Sequence, residues 1–158
     1  MLHVFCGFDN IIIIPTEPGD RTGHVDGMVR FISEKILVVG SYSTASSNCN
    51  FMDMLAENLR DKFGPDYKII RLQNGEPEDH KTEGVASALG NHMNFLRLGD
   101  RILFPYYGDE ISEVPMKEFM EEIEHLGLNI EIVPVDIPEI RVLGRLGGVL
   151  HCITWQVY

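Results

Sequence analysis

Apolar positions along this chain recur in two patterns. Residues 28–32 and 36–39 are apolar-rich runs on either side of Ser33-Glu34-Lys35, and this spacing predicts a β-hairpin. Phe51, Met54, Leu55, Leu59 and Phe63 return at helical intervals, with Gly64-Pro65 as the stop. Residues 67–72 then alternate like a strand. The same order comes back: residues 93–98 and 102–104 flank Gly99-Asp100-Arg101. Phe119, Met120, Ile123 and Leu126 form a second amphipathic stripe, with Pro115 near its start and Gly127 at its end, and residues 129–133 close as a strand. Two strand–strand–helix–strand units therefore follow one another at a period of roughly sixty residues, which predicts a modular α/β fold.

Partial units flank these two. Residues 11–14, stopped by Pro15, read as the closing strand of one unit, and residues 149–155 as the opening strand of another. Each closing strand leads through a polar or glycine-rich loop into the next opening strand. The junctions hold Gly23-His24-Val25-Asp26-Gly27, then Asn91-His92-Met93-Asn94, then Gly147-Gly148-Val149-Leu150-His151-Cys152. In a quasi-symmetric array, equivalent junctions gather at one end of the axis. These side chains are therefore expected to converge.

Composition narrows the class. With 158 residues, 44% of them hydrophobic and 23% charged, the chain is expected to form one soluble domain over residues 1–158. No apolar run approaches the length of a membrane span, and the first residues lack the pattern of a signal peptide. Three cysteines without paired spacing fit a reducing cytoplasm. A formal charge of -11, with no cluster of Lys and Arg, argues against a nucleic-acid partner. Such a surface keeps a protein soluble and also steers cations inward.

Candidate chemistry concentrates at the junctions. Cys152 follows Gly147 and Gly148, where missing side chains let a ligand reach the backbone; a small buried hydrophobe is the competing reading. Cys6 reads as buried, and Cys49, in Ser46-Ser47-Asn48-Cys49-Asn50, as an exposed loop thiol without a partner. His24 and Asp26 are two apart, so on a strand they share a face, and Gly23 and Gly27 clear space around them. An imidazole can donate and then accept a proton within one cycle, and a carboxylate can grip a guanidinium through charge-assisted hydrogen bonds. A structural His–Asp bond in a turn is the alternative. None of the six histidines are paired at metal-ligand spacing and no Cys-x-x-Cys occurs, so no metal site is expected. Gly144-Arg145-Leu146-Gly147-Gly148 lacks the P-loop and dinucleotide fingerprints, so no nucleotide cofactor is expected either. His80 and His125 read as surface residues. His151 reads as a packing residue on the strand face opposite Cys152.

Taken together, Thr22-Gly23-His24-Val25-Asp26-Gly27-Met28-Val29-Arg30-Phe31, Met93-Asn94-Phe95 and Gly147-Gly148-Val149-Leu150-His151-Cys152-Ile153-Thr154-Trp155 resemble the agmatine deiminase and bacterial-type peptidylarginine deiminase family. The resemblance runs from about Gly7 to Gln156. It implies a pentein, an α/β propeller of five ββαβ units, of which about half is represented here. It also implies Cys152 as nucleophile, His24 as general acid and base, and Asp26 as the carboxylate that holds the guanidinium. Asn94 would be a polar strand position lining the site, and Gly148 a substrate contact. The implied reaction converts agmatine to N-carbamoylputrescine, or arginine in peptides to citrulline, through a covalent thiouronium on Cys152 and without metal or organic cofactor.

The family also carries a further substrate-binding acid in a Trp-x-Arg-Asp context, and a Glu-Gly-Gly segment, ahead of its His-x-Asp. Neither occurs in these residues. Glu17 and Asp20, the nearest acids upstream of His24, sit in the wrong place to replace that acid. Two functional expectations follow. One is a cytoplasmic deiminase acting on a small cationic guanidino compound. The other is a non-catalytic pentein fragment that needs a homo-oligomeric partner or a complementing N-terminal segment.

Overall fold

The computed structural model describes residues 10–21, 23–76, 81–82 and 85–155. Expectations for Cys6 and His80 fall outside them. The first unit consists of β1 (Val29–Ser33), β2 (Ile36–Ser41), α1 (Cys49–Phe63) and β3 (Lys68–Gln73). A two-stranded ribbon, β4 (Lys81–Thr82) and β5 (Val85–Ala86), separates it from the second. That second unit repeats the order with β6 (Leu96–Leu98), β7 (Arg101–Pro105), α2 (Asp109–His125) and β8 (Glu131–Val135), after which comes α3 (Pro138–Arg145). In each unit the first two strands form an antiparallel hairpin, and the helix carries the chain across to a third strand parallel to the second. The two predicted ββαβ units are therefore present.

Both helices form where their apolar stripes predict, although Met54 and Met120 of those stripes lie exposed. Met52, Leu55, Ala56 and Leu59 are buried along one side of α1, and Gly64 ends it in a left-handed conformation, φ 78°. Ser112, Pro115, Phe119 and Ile123 face inward from α2. This helix begins at Asp109, six residues before Pro115, so the proline lies inside it rather than near its start. Asp109 and Glu110 in the first turn complement the helix dipole and favour the early start. Cys49 likewise opens α1 instead of lying in a loop, and its thiol has a partner, Asp53 Oδ2, at 3.7 Å. One apolar cluster ties the units together: Ile32, Val38, Ile70 and Leu72 of the first pack with Phe95, Ile102, Phe104 and Phe119 of the second.

Three segments depart from expectation. Residues 11–14 form no strand, although Ile12 and Ile14 turn inward against the α1 cluster. Residues 149–155 turn back on themselves: Ile153 N–H donates to Val149 O, and Thr154 Oγ1 donates to Leu150 O at 2.8 Å. Sequence pattern suggested a strand there because the run is β-branched, but the hydrogen bonds close locally. The junctions before β1 and β6 are also not strand. Val25–Gly27 and His92–Asn94 each form one 3₁₀ turn, entered through His24 (φ -71°, ψ 101°) and Asn91 (φ -76°, ψ 91°). This matched backbone is the repeat written into conformation. The turns touch at Gly27, where a Cβ would lie 2.8 Å from Asn91 Nδ2 and would displace the Asn91 side chain.

Candidate active site

The two 3₁₀ turns and the turn at residues 149–154 meet at Asn94, which is buried. Its Oδ1 accepts the backbone N–H groups of Val149 and His151, both at 3.1 Å, and of Cys152 at 3.4 Å. Its Nδ2 donates to Asp26 Oδ2 at 3.0 Å and to Cys152 Sγ at 3.2 Å. One amide thus folds the 149–152 backbone around itself and spans from nucleophile candidate to carboxylate. The thiol of Cys152 is 3.4 Å from Asp26 Oδ2. Gly148 makes room for it: a Cβ at that position would sit 2.8 Å from Cys152 Cβ and 3.3 Å from Sγ.

Electrostatics here are mixed. Burial pushes the Cys152 thiol above its ordinary range, and the negative charge of Asp26 pushes the same way, while the Asn94 and Val149 hydrogen bonds oppose both. For Asp26, burial acts to raise the carboxyl, but hydrogen bonds from His151 and Cys152 and the charges of His151 and His24 prevail and hold it below the usual value. Arg30 lies behind this pair. Its Nη1 donates to Phe95 O at 2.9 Å and its guanidinium sits 4.8 Å from the Phe95 ring centroid. Burial disfavours the Arg30 charge, and Asp26 and Cys152 favour it.

His24 is exposed at the N-cap of its turn, with its backbone N–H on Asp20 Oδ2 at 2.7 Å. It does not share a strand face with Asp26, because neither residue is on a strand. His24 borders a cavity of about 330 Å³, whose wall also includes Glu17, Asp20, Tyr42, Gly27 and Gly147. Glu17 and Asp20, from the loop leading to His24, line the same cavity as His24. Asn48 fixes that wall by donating from Nδ2 to Glu17 Oε1 at 2.9 Å and to Pro18 O at 3.3 Å.

The predicted residues Asp26, Asn94, Gly148 and Cys152 come together, and His24 lies alongside. Asn94 does so from a 3₁₀ turn, not from the strand expected of it. His151 was misplaced. It does not pack away from Cys152, since Nδ1 lies 2.8 Å from Asp26 Oδ2. In a strand, residues 151 and 152 would face opposite ways; in a turn both reach one side. The signal for the turn lay in Gly147-Gly148 ahead of it and in Thr154, whose hydroxyl can bond a carbonyl four residues back. His125 is exposed, as expected. The glycine-rich 144–148 segment ends α3 and packs: Ala88 N–H donates to Gly144 O, and Gly144 lies against the Leu89 backbone.

The chain belongs to the Porphyromonas-type peptidyl-arginine deiminase family, whose sequence profile matches residues 1–157. It is 26% identical over 160 residues to an Enterococcus faecalis protein named "Putative agmatine deiminase", covering 89% of this chain and 41% of that one. The Campylobacter jejuni (C. jejuni) agmatine deiminase structure superposes with a TM-score of 0.72 at 22% identity, over 96% of this chain and 43% of the other. The agmatine deiminase of E. faecalis superposes with a TM-score of 0.64 at 20% identity, over 87% and 40%. The fold is thus part of a pentein, and the chain spans about two fifths of the length of these relatives.

Proposed function

We propose that this chain carries the nucleophile-bearing part of a deiminase that hydrolyses a small cationic guanidino compound. The observation that carries this reading is the convergence of Asp26, Asn94 and Cys152 on one another within 3.4 Å. A carboxylate beside a thiol is a poor arrangement for an isolated nucleophile, because its charge opposes the thiolate. It becomes a good one when a guanidinium docks on Asp26, since the cation reverses that effect and presents its carbon to sulfur.

In this mechanism Cys152 passes its proton to His24 through solvent, and the thiolate attacks the guanidinium carbon. His24 protonates the departing nitrogen, ammonia leaves, and a thiouronium remains on Cys152. His24 then takes a proton from water as the water oxygen adds to that carbon, the C–S bond breaks, the remaining O–H proton passes to the released ammonia, and a neutral ureido product departs, leaving the thiolate beside a protonated His24. Asn94 donates to sulfur throughout. Glu17 and Asp20, in the wall of the cavity, support a substrate with a cationic tail such as agmatine, and arginine in peptides is the second choice.

A second reading is a pentein portion that works only with further units. Ile13, Leu146, Ile153 and Trp155 are large apolar residues left exposed, which favours this reading. Labelling with a haloacetamidine, a cationic guanidinium mimic, against neutral iodoacetamide separates the two by peptide mass spectrometry, with Cys6 and Cys49 as internal controls. Preferential reaction of Cys152 with the amidine, lost in His24→Ala and Asp26→Ala, supports a working site in this chain. Equal reaction of all three thiols supports the second reading.

A further inference from the structure

His151 is held at two points. Its backbone N–H donates to Asn94 Oδ1 at 3.1 Å, and its imidazole meets Asp26 Oδ2 at 2.8 Å. A carboxylate oxygen only accepts, so Nδ1 carries the proton in this contact. Oδ2 of Asp26 also receives Asn94 Nδ2 and the Cys152 thiol. All three hydrogen bonds fall on one oxygen, and Oδ1 receives none from a described residue. The ring does not hydrogen-bond to Cys152 among the described residues, so it acts on the carboxylate and not on sulfur.

We infer that His151 is a positioning residue for Asp26: its Nδ1–H pins Oδ2 and thereby offers Oδ1 to an incoming cationic N–H. The use of that oxygen for a guanidinium rests on the deiminase reading, while the pinning does not. An incidental surface ion pair is the competing account, because such pairs contribute little. The burial is uneven, however: the Asp26 side chain is 17% exposed against 40% for His151. A mostly buried carboxylate needs its donors, so removal of this one falls on Asp26. His24, Cys152 and Arg30 are the other titratable or charged groups that act on it.

The test compares His151→Asn, whose amide nitrogen occupies the place of Nδ1, with His151→Gln, whose amide nitrogen occupies the place of Nε2. Carboxyl ¹³C NMR follows the Asp26 titration, and the amidine-to-acetamide labelling ratio at Cys152 follows cation recognition. We expect His151→Gln to raise the Asp26 midpoint by about one pH unit and to lower the labelling ratio about tenfold, the factor that one such hydrogen bond gives. His151→Asn is expected to stay near wild type in both. An Asp26 midpoint that is unchanged in His151→Gln, or equally displaced in both variants, overturns the assignment. If the wild type itself shows no amidine preference, the deiminase reading fails, and the Asp26 titration still decides whether His151 pins the carboxylate.

Discussion

Asn94 Nδ2 stands 3.2 Å from Cys152 Sγ, while the Oδ1 of the same amide receives the Cys152 backbone N–H at 3.4 Å. Cys152 is therefore held by backbone and side chain through a single residue from the other end of the molecule's second unit. With Val149 and His151 on the same oxygen, the local shape of the 149–152 segment depends on Asn94.

Asn94→Ala removes an acceptor from three N–H groups, and the expected loss is about 3 kcal/mol of stability, read as a lower urea midpoint. Asn94→Asp keeps that acceptor but sets a second carboxylate against Asp26 and the sulfur. It should retain more stability than the alanine variant while slowing iodoacetamide alkylation of Cys152 further.

Asp26→Asn is expected to move the two labelling reagents in opposite directions. Removal of the negative charge lowers the Cys152 thiol toward its ordinary range, so neutral iodoacetamide at pH 7.5 reacts several-fold faster. The amidine preference should vanish in the same sample. A fall in both rates would contradict the electrostatic reading of the pair.

Gly148→Ala brings a Cβ to 2.8 Å from Cys152 Cβ, which forces the nucleophile candidate to shift. We expect about a tenfold loss of Cys152 labelling by the amidine. Cys49 labelling should be unchanged, which distinguishes local displacement from unfolding.

His92 supplies a pH dependence of stability. Its Nδ1–H donates to Gln73 O at 2.6 Å and its Nε2 accepts from Ser112 Oγ at 3.0 Å, with Ser112 Oγ in turn accepting Tyr107 N–H at 2.8 Å. Burial, only partly opposed by the Gln73 carbonyl, pushes its pKa down to about 4 from 6.5. The unfolded chain binds the proton first. Stability from this group is thus fully present above pH 6.5 and falls as pH drops toward 4, by on the order of 3 kcal/mol in all. Urea titrations at pH 7 and pH 5 should show the loss, and His92→Phe should flatten it.

Local pattern made the units legible. Stripes such as Phe51, Leu55, Leu59 and Phe63 determine a helix regardless of what lies beyond them, and the turns predicted at 33–35 and 99–101 fall where the hairpins reverse. Junction spacing also pointed to Asp26, Asn94 and Cys152 as neighbours. What sequence pattern missed depends on distant partners. The β-branched 149–155 run has strand character, yet the N–H groups of Val149, His151 and Cys152 are taken by Asn94, a residue more than fifty positions away, while those of Ile153 and Thr154 close locally. Once that strand was assumed, His151 could only point away from its actual partner. The place of Glu17 in the cavity wall likewise depends on a distant partner, since Asn48 holds the 17–18 loop.

Asp26 and His151 meet across 125 positions of chain. Closing so long a loop carries a larger entropic penalty than forming either ββαβ unit, and contacts of this separation are made late. In a refolding experiment the two units should therefore gain their helices and hairpins while Cys152 still behaves as any cysteine does. Its distinctive reactivity should emerge in the final phase, so the thiol serves as a clock for the last event in folding.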